Sequence, residues 1–108
     1  MPHDPHLAEL MREALAGMPG ISEKKMFGGY CWLLNGNMIA GVEVGRYMFR
    51  PGRDREGEAL SRPGARPMDI TGKPMAGFVW VDADAAVDIG LRDWIDFCAG
   101  FVGALPAK

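Results

Sequence analysis

The sequence predicts an α+β fold: a two-layer α/β sandwich with helices packed on one antiparallel sheet, in the order α-β-β-β-α-β-β-α. Three observations carry this expectation. An amphipathic helix pattern lies at each end of the chain, an Asn-Gly hairpin signal sits between two apolar runs, and no linker or internal repeat divides the 108 residues. A chain of this length buries one core but hardly two, so residues 1–108 are read as a single domain.

The elements follow in order. Leu7, Leu10, Met11, Ala14, Leu15 and Met18 recur at i, i+3, i+4, i+7, i+8 and i+11, one apolar stripe of a helix. Asp4 is placed to cap it, Pro5 suits the first helical position, and Gly17, Pro19 and Gly20 end it. Asn35-Gly36 lies between YCWLL and MIAGVEV, where a type I′ turn needs positive φ at both central residues. A second turn at Gly45 leads into RYMFR, which alternates Tyr47 and Phe49 with Arg46, Met48 and Arg50, and so completes a three-strand meander. Residues 51–64 are a polar connection in which EGEALS offers at most a short helix. Two short strands are expected at 66–70 and 78–81, joined by the turn residues TGKP. Leu91, Trp94, Ile95, Cys98, Phe101 and Val102 give the last helix its apolar stripe, with Asp88 as its cap.

The stretch KKMFGGYCWLL places two glycines inside an apolar run, where glycine packs nothing and costs backbone entropy. With regular alternation, Met26, Tyr30 and Trp32 share one face and Phe27, Cys31 and Leu33 the other, so both faces are apolar. Either the strand is central and covered on both sides, or a bulge at Gly28-Gly29 shifts the register; the bulge is expected, because glycine permits its left-handed conformation.

Composition narrows the functional classes. With 48% hydrophobic and 24% charged residues the chain has the balance of an ordinary folded protein. Its formal charge of −2 gives no general attraction to nucleic acid or to an anionic membrane. No apolar run reaches the roughly 18 residues of a membrane span, and MPHDPH lacks a signal-peptide pattern, so a cytoplasmic location without membrane association is expected. Cys31 and Cys98 form no C-x-x-C pair and read as reduced core thiols.

The run KKMFGGYCWLLNGNMIAGV, then GRYMFR, then TGKPMAGFVWV and a final Trp-containing helix resembles the N-terminal domain of the TfoX/Sxy family, regulators of natural competence. The resemblance extends from the first helix through Trp94 and rests on the ordered pair MFGGY and GKPM. It implies the two-layer α/β domain described above and a regulatory role linked to competence or transcription. The full-length regulators carry a second, helical domain resembling DNA-binding modules; with the chain ending at Lys108, that half is expected to be absent. Cys31 and Trp32 stand where smaller or simpler apolar residues are usual, and the connection RPGRDREGEALSRPGARP is unusually rich in arginine and proline.

No enzyme is expected. His3 and His6 sit before or at the start of the first helix, where mobility would spoil catalytic geometry, and they are weak metal ligands. Asp82, Asp84 and Asp88 lead into a helix, where acids favour the positive dipole end, and no calcium-loop pattern surrounds them. Neither a metal nor another cofactor is expected. Between Arg46 and Lys73, seven basic residues face four acids, so that segment carries +3 and the remainder −5. The expectation is a non-enzymatic regulatory or adaptor domain that binds a protein partner through the exposed sheet or the arginine-rich connection, using Arg46, Arg50, Arg53 and Arg55 with Lys73 nearby. Two alternatives stand beside it: a small-ligand site built from Gly28, Gly29, Tyr30 and Trp32, and weak nucleic-acid binding by the 46–73 segment, its arginines alternating with Tyr47 and Phe49. Homo-oligomerisation through an uncovered sheet edge is compatible with each.

Overall fold

The computed structural model describes residues 5–26, 29–70 and 72–108. Helix α1 (Pro5–Leu15) opens the fold, with Leu7, Ala8, Met11 and Leu15 buried along its expected stripe. Asp4, its expected cap, lies outside the described residues. Four strands follow: β1 (Ile21–Met26), β2 (Gly29–Leu34), β3 (Asn37–Val42) and β4 (Arg46–Phe49). A 3-10 turn (Arg53–Arg55) and the short helix α2 (Glu56–Leu60) occupy the polar connection. Then come β5 (Ala65–Ile70), β6 (Lys73–Asp82), α3 (Ala83–Ile89) and α4 (Leu91–Val102). The six strands form one antiparallel sheet in the order β1-β2-β3-β4-β6-β5. The fold is the expected α+β sandwich in the expected order, with the first strand doubled and a short helix added before the last.

The doubling answers the question raised by the glycine pair. The run 24–34 is two strands: Lys24 pairs with Cys31, Lys25 with Tyr30 and Met26 with Gly29. Gly29 therefore opens β2 at the end of a hairpin, and Gly28 lies outside the described residues. The bulge expected at Gly28-Gly29 thus falls partly outside the described residues, and a register shift is found between Trp32 and Leu33. Trp32 pairs with Ala40 but Leu33 with Met38, so Ile39 is the extra residue of a bulge in β3. The bulge turns Ile39 and Ala40 both into the core, where each is fully buried, and leaves Met38 outside that cluster. The Asn35-Gly36 turn forms as expected, with φ of 53° and 84° and Leu34 paired to Asn37.

The helices share one face of the sheet. Trp32, Ile39, Tyr47, Phe49, Val79 and Val81 project from it into the main core and meet Met11 of α1 and Trp94, Ile95, Cys98 and Val102 of α4. Phe49 stacks on Trp94 with ring centroids 4.9 Å apart and planes 11° from parallel, a pairing that contributes about 0.5–1.5 kcal/mol beyond area burial. The Tyr47 hydroxyl donates to the Leu7 carbonyl at 2.6 Å, tying β4 to α1. Asp88 belongs to α3 and does not cap α4; Gly90, at φ 111°, takes that position. Both thiols are free and buried. Burial pushes the Cys31 thiol up from its ordinary value and that of Cys98 up to about 12, so both are protonated at neutral pH.

Candidate binding surface

Strand alternation sends a second set of side chains to the opposite face of the sheet. Cys31, Gly41, Met48 and Trp80 are consecutive partners across β2, β3, β4 and β6 and so share one row and one face. Cys31, Met48, Met68 and Trp80 form a second apolar cluster, flanked by Met38, Met75 and Phe78, to which no residue of the described helices belongs. What shields this face is the outer hairpin. Met68 and Asp69 of β5 border the same hollow as Tyr30 and Cys31 of β2, although three strands separate β2 from β5 in the sheet. The β5–β6 register shifts between Pro67 and Asp69, and Gly77 adopts φ 87°, so the hairpin bends over the face.

The hollow between them measures about 400 Å³. Gly41 is its floor: a side chain there would meet the Met48 methyl at 3.0 Å and the Cys31 sulfur at 3.4 Å. Arg46 stands at its rim, donating to Glu43 at 2.8 Å, with its guanidinium 3.7 Å above the centre of the Trp80 ring. That contact combines a salt bridge with a cation–π stack and holds Arg46 in place.

The arginines divide into two groups. Arg12 binds Glu9 and Glu23, Arg46 binds Glu43, Arg55 binds Glu58, Arg62 binds Asp93, Arg66 binds Asp82 and Arg92 binds Asp96. Two of them also pin the connection to α4. Arg55 donates to the Phe97 carbonyl at 2.9 Å and lies 3.9 Å over its ring, while Arg62 lies 4.6 Å over Trp94 and 4.4 Å over Phe97. Among the described residues, no carboxylate pairs with Arg50 or Arg53. These two line a groove of about 270 Å³ with Gly52, Asp54, Ala76, Gly77, Phe78 and Phe101. Arg50 is half-buried, 5.2 Å from the Phe78 centroid and 5.5 Å from that of Phe101, and donates to the Met38 carbonyl at 3.4 Å. Desolvation lowers its pKa.

The structure thus sorts the residues singled out in the sequence. Arg50 and Arg53 share one groove, Arg46 sits at the separate hollow, and Arg55 is engaged in packing against α4. Lys73 opens β6 opposite Ile70, and its side chain lies outside those described. Of the ligand alternative, Gly28 lies outside the described residues, Gly29 faces Met26, and Tyr30 borders the hollow with its ring 5.4 Å from the Arg12 guanidinium. Trp32 is buried on the helix side, its indole N–H donating to Glu23 at 3.0 Å. The hollow is instead walled by Met48, Met68 and Trp80, which sequence reasoning did not select. The signal was present in RYMFR and FVWV, where alternation puts Met48 with Arg46 and Arg50, and Phe78 with Trp80, on a common face. Asp82 precedes α3 and pairs with Arg66, whereas Asp88 lies at the far end of that helix. Among the described residues, no three His, Cys, Asp or Glu side chains are grouped to hold a metal ion, and no helix is long and apolar enough to cross a membrane.

Helices on one face of an antiparallel sheet, with a hollow under a bent hairpin on the other, define a small two-layer α+β domain. The chain belongs to the TfoX N-terminal domain family, whose model matches residues 13–100. Comparisons with curated proteins and with solved structures each returned no match.

Proposed function

We propose that this domain is a non-enzymatic regulatory or adaptor module that docks a protein partner on the helix-free face of its sheet. The observation that carries this reading is the hollow of about 400 Å³ on that face, walled by Met48, Met68 and Trp80. Methionine side chains reshape around an incoming group, and tryptophan and arginine are the residues that most often anchor an interface. The face is favoured over the sheet edges because both edges are defended. β1 carries exposed Lys24 and Lys25, and β5 carries Pro67, which has no N–H to donate. Self-association by edge pairing is opposed by the same residues.

The absence of catalysis in this reading rests on the nucleophiles: both thiols are buried and protonated, and His6 stands exposed in the first turn of α1. Reduced thiols also suit a cytoplasmic setting. Any part played in competence or transcription then runs through the partner.

A photo-cross-linking residue placed at Asp69 or Met75 on the open face, and at Glu9 or Asp96 on the helix side, tests the proposal in cells. Cross-links to one protein from the open-face positions alone are expected. Cross-links from the helix side, or from neither side, would overturn it; in the latter case the volume of the hollow favours a small molecule as its occupant.

A further inference from the structure

Arg50 and Arg53 stand apart from the other arginines in lacking a carboxylate among the described residues, and they share one groove. A guanidinium drawn partly out of water costs free energy unless an anion offsets the loss. Among the described residues, Arg50 has only the long bond to the Met38 carbonyl and two aromatic flanks to offset it. The groove itself is firmly built. Gly52 donates to the Gly77 carbonyl at 3.1 Å across it, the Gly77 N–H is held by the Glu56 carboxylate, and a side chain at Gly52 would strike the Phe101 ring at 2.7 Å. Asp54 also lines it, without forming an ion pair to either arginine.

We infer that this groove anchors an acidic segment of a protein partner, with a carboxylate set against Arg50 and Arg53 and an aromatic or apolar neighbour against Phe78 and Phe101. The inference rests on the open face as a docking surface, at whose rim Phe78 of β6 and Phe101 of α4 both flank Arg50, and adds the chemistry of the partner. Arginine binds carboxylate through a planar fork, and the flanking phenyl rings hold that of Arg50 in place. A nucleic acid fits less well. A phosphate backbone needs a track of cations, whereas Arg46, Arg55, Arg62 and Arg66 are neutralised internally, Asp54 lines the groove and the chain carries −2 overall.

The test is an amide-shift titration of the whole chain by NMR at low salt with three probes: a capped Asp-Phe-Asp-Phe peptide, its Asn-Phe-Asn-Phe counterpart, and a short oligothymidylate. The acidic peptide is expected to shift residues 50–54 and 76–78 and to bind at least about tenfold more tightly than the neutral one, the loss expected when a charge-assisted hydrogen bond is removed. Arg53→Gln, at an exposed position, should weaken the acidic peptide by about the same factor with the fold unchanged. Arg50→Lys should also weaken it, because charge without the fork does not restore the geometry. Equal binding of the neutral peptide, indifference to Arg53→Gln, tighter binding of the oligothymidylate, or no shift with millimolar peptide would each overturn the inference. Shifts centred on Cys31, Met48 and Trp80 would also overturn it while leaving the open-face reading intact, whereas cross-links confined to Glu9 and Asp96 would bring down both.

Discussion

The two faces of this sheet are built from alternate residues of the same strands, yet they are finished differently. In β4, Tyr47 and Phe49 enter a core sealed by α1 and α4, while Met48, between them, reaches the opposite face beside Arg46. The helix face is closed by rigid aromatic and branched side chains such as Trp94, Ile39 and Val79. The other is filled by methionines, a cysteine and Trp80, and is shielded by a bent hairpin instead of a helix. A helix contributes a complete apolar stripe, and the face it covers is closed by buried side chains. Among the described residues, the hairpin contributes Met68, Met75, Phe78 and Trp80, and these side chains leave a hollow. One face holds the larger buried cluster, and the other keeps a hollow.

That contrast is open to direct attack. Trp94→Ala removes the ring that stacks on Phe49 and lies beneath Arg62, and should lower unfolding free energy by about 3–5 kcal/mol in a urea titration. On the other face, Met48→Leu should cost less than about 1.5 kcal/mol, because volume is conserved beside a hollow that accommodates the change. If the methionine substitution costs as much as the tryptophan truncation, the open face is a second rigid core and the contrast fails.

A smaller effect sharpens the comparison at the sheet margin, where Arg12 of α1 clamps Glu23 of β1 by bonds of 2.7 and 2.9 Å. Hydrogen bonds from Arg12, then from the Trp32 indole, hold the Glu23 carboxyl below its ordinary value of 4.5 against a desolvation effect that acts the other way. The unfolded chain therefore takes up this proton at a higher pH than the folded one. The stabilisation is complete above about pH 4.5 and is lost as pH falls through the lower folded-state pKa. Both side chains are partly exposed, which limits the effect to about 1 kcal/mol or less. Glu23→Gln should flatten the loss of stability between about pH 5 and pH 3 relative to the parent protein, measured by thermal melts across that range.

Much of the fold was legible because its signals are local. The stripe from Leu7 to Leu15 needs only helical periodicity, and Asn35-Gly36 needs only positive φ at two residues; both form as the sequence implies. The division of residues 21–34 was not legible, since β1, with Lys24 and Lys25 at a sheet edge, lacks the apolar alternation of a half-buried strand. The groove was half legible: Arg50 and Arg53 stood out, but nothing local distinguished them from Arg55. That distinction comes from Phe97, whose carbonyl and ring lie 42 positions further along the chain and engage Arg55.

Taken alone, the amino-acid sequence determined the first and last helices, the Asn35-Gly36 turn, the antiparallel strands that follow β1, and the family, because each rests on backbone preferences, apolar spacing or motifs within short stretches of chain. Which strand face was sealed, where the bulge fell, how far the outer hairpin bent, and which arginines kept an unspent charge were decided by tertiary structure. Each of those depends on partners distant in sequence, and a charge is neutralised or left open only when the folded chain brings a carboxylate within reach.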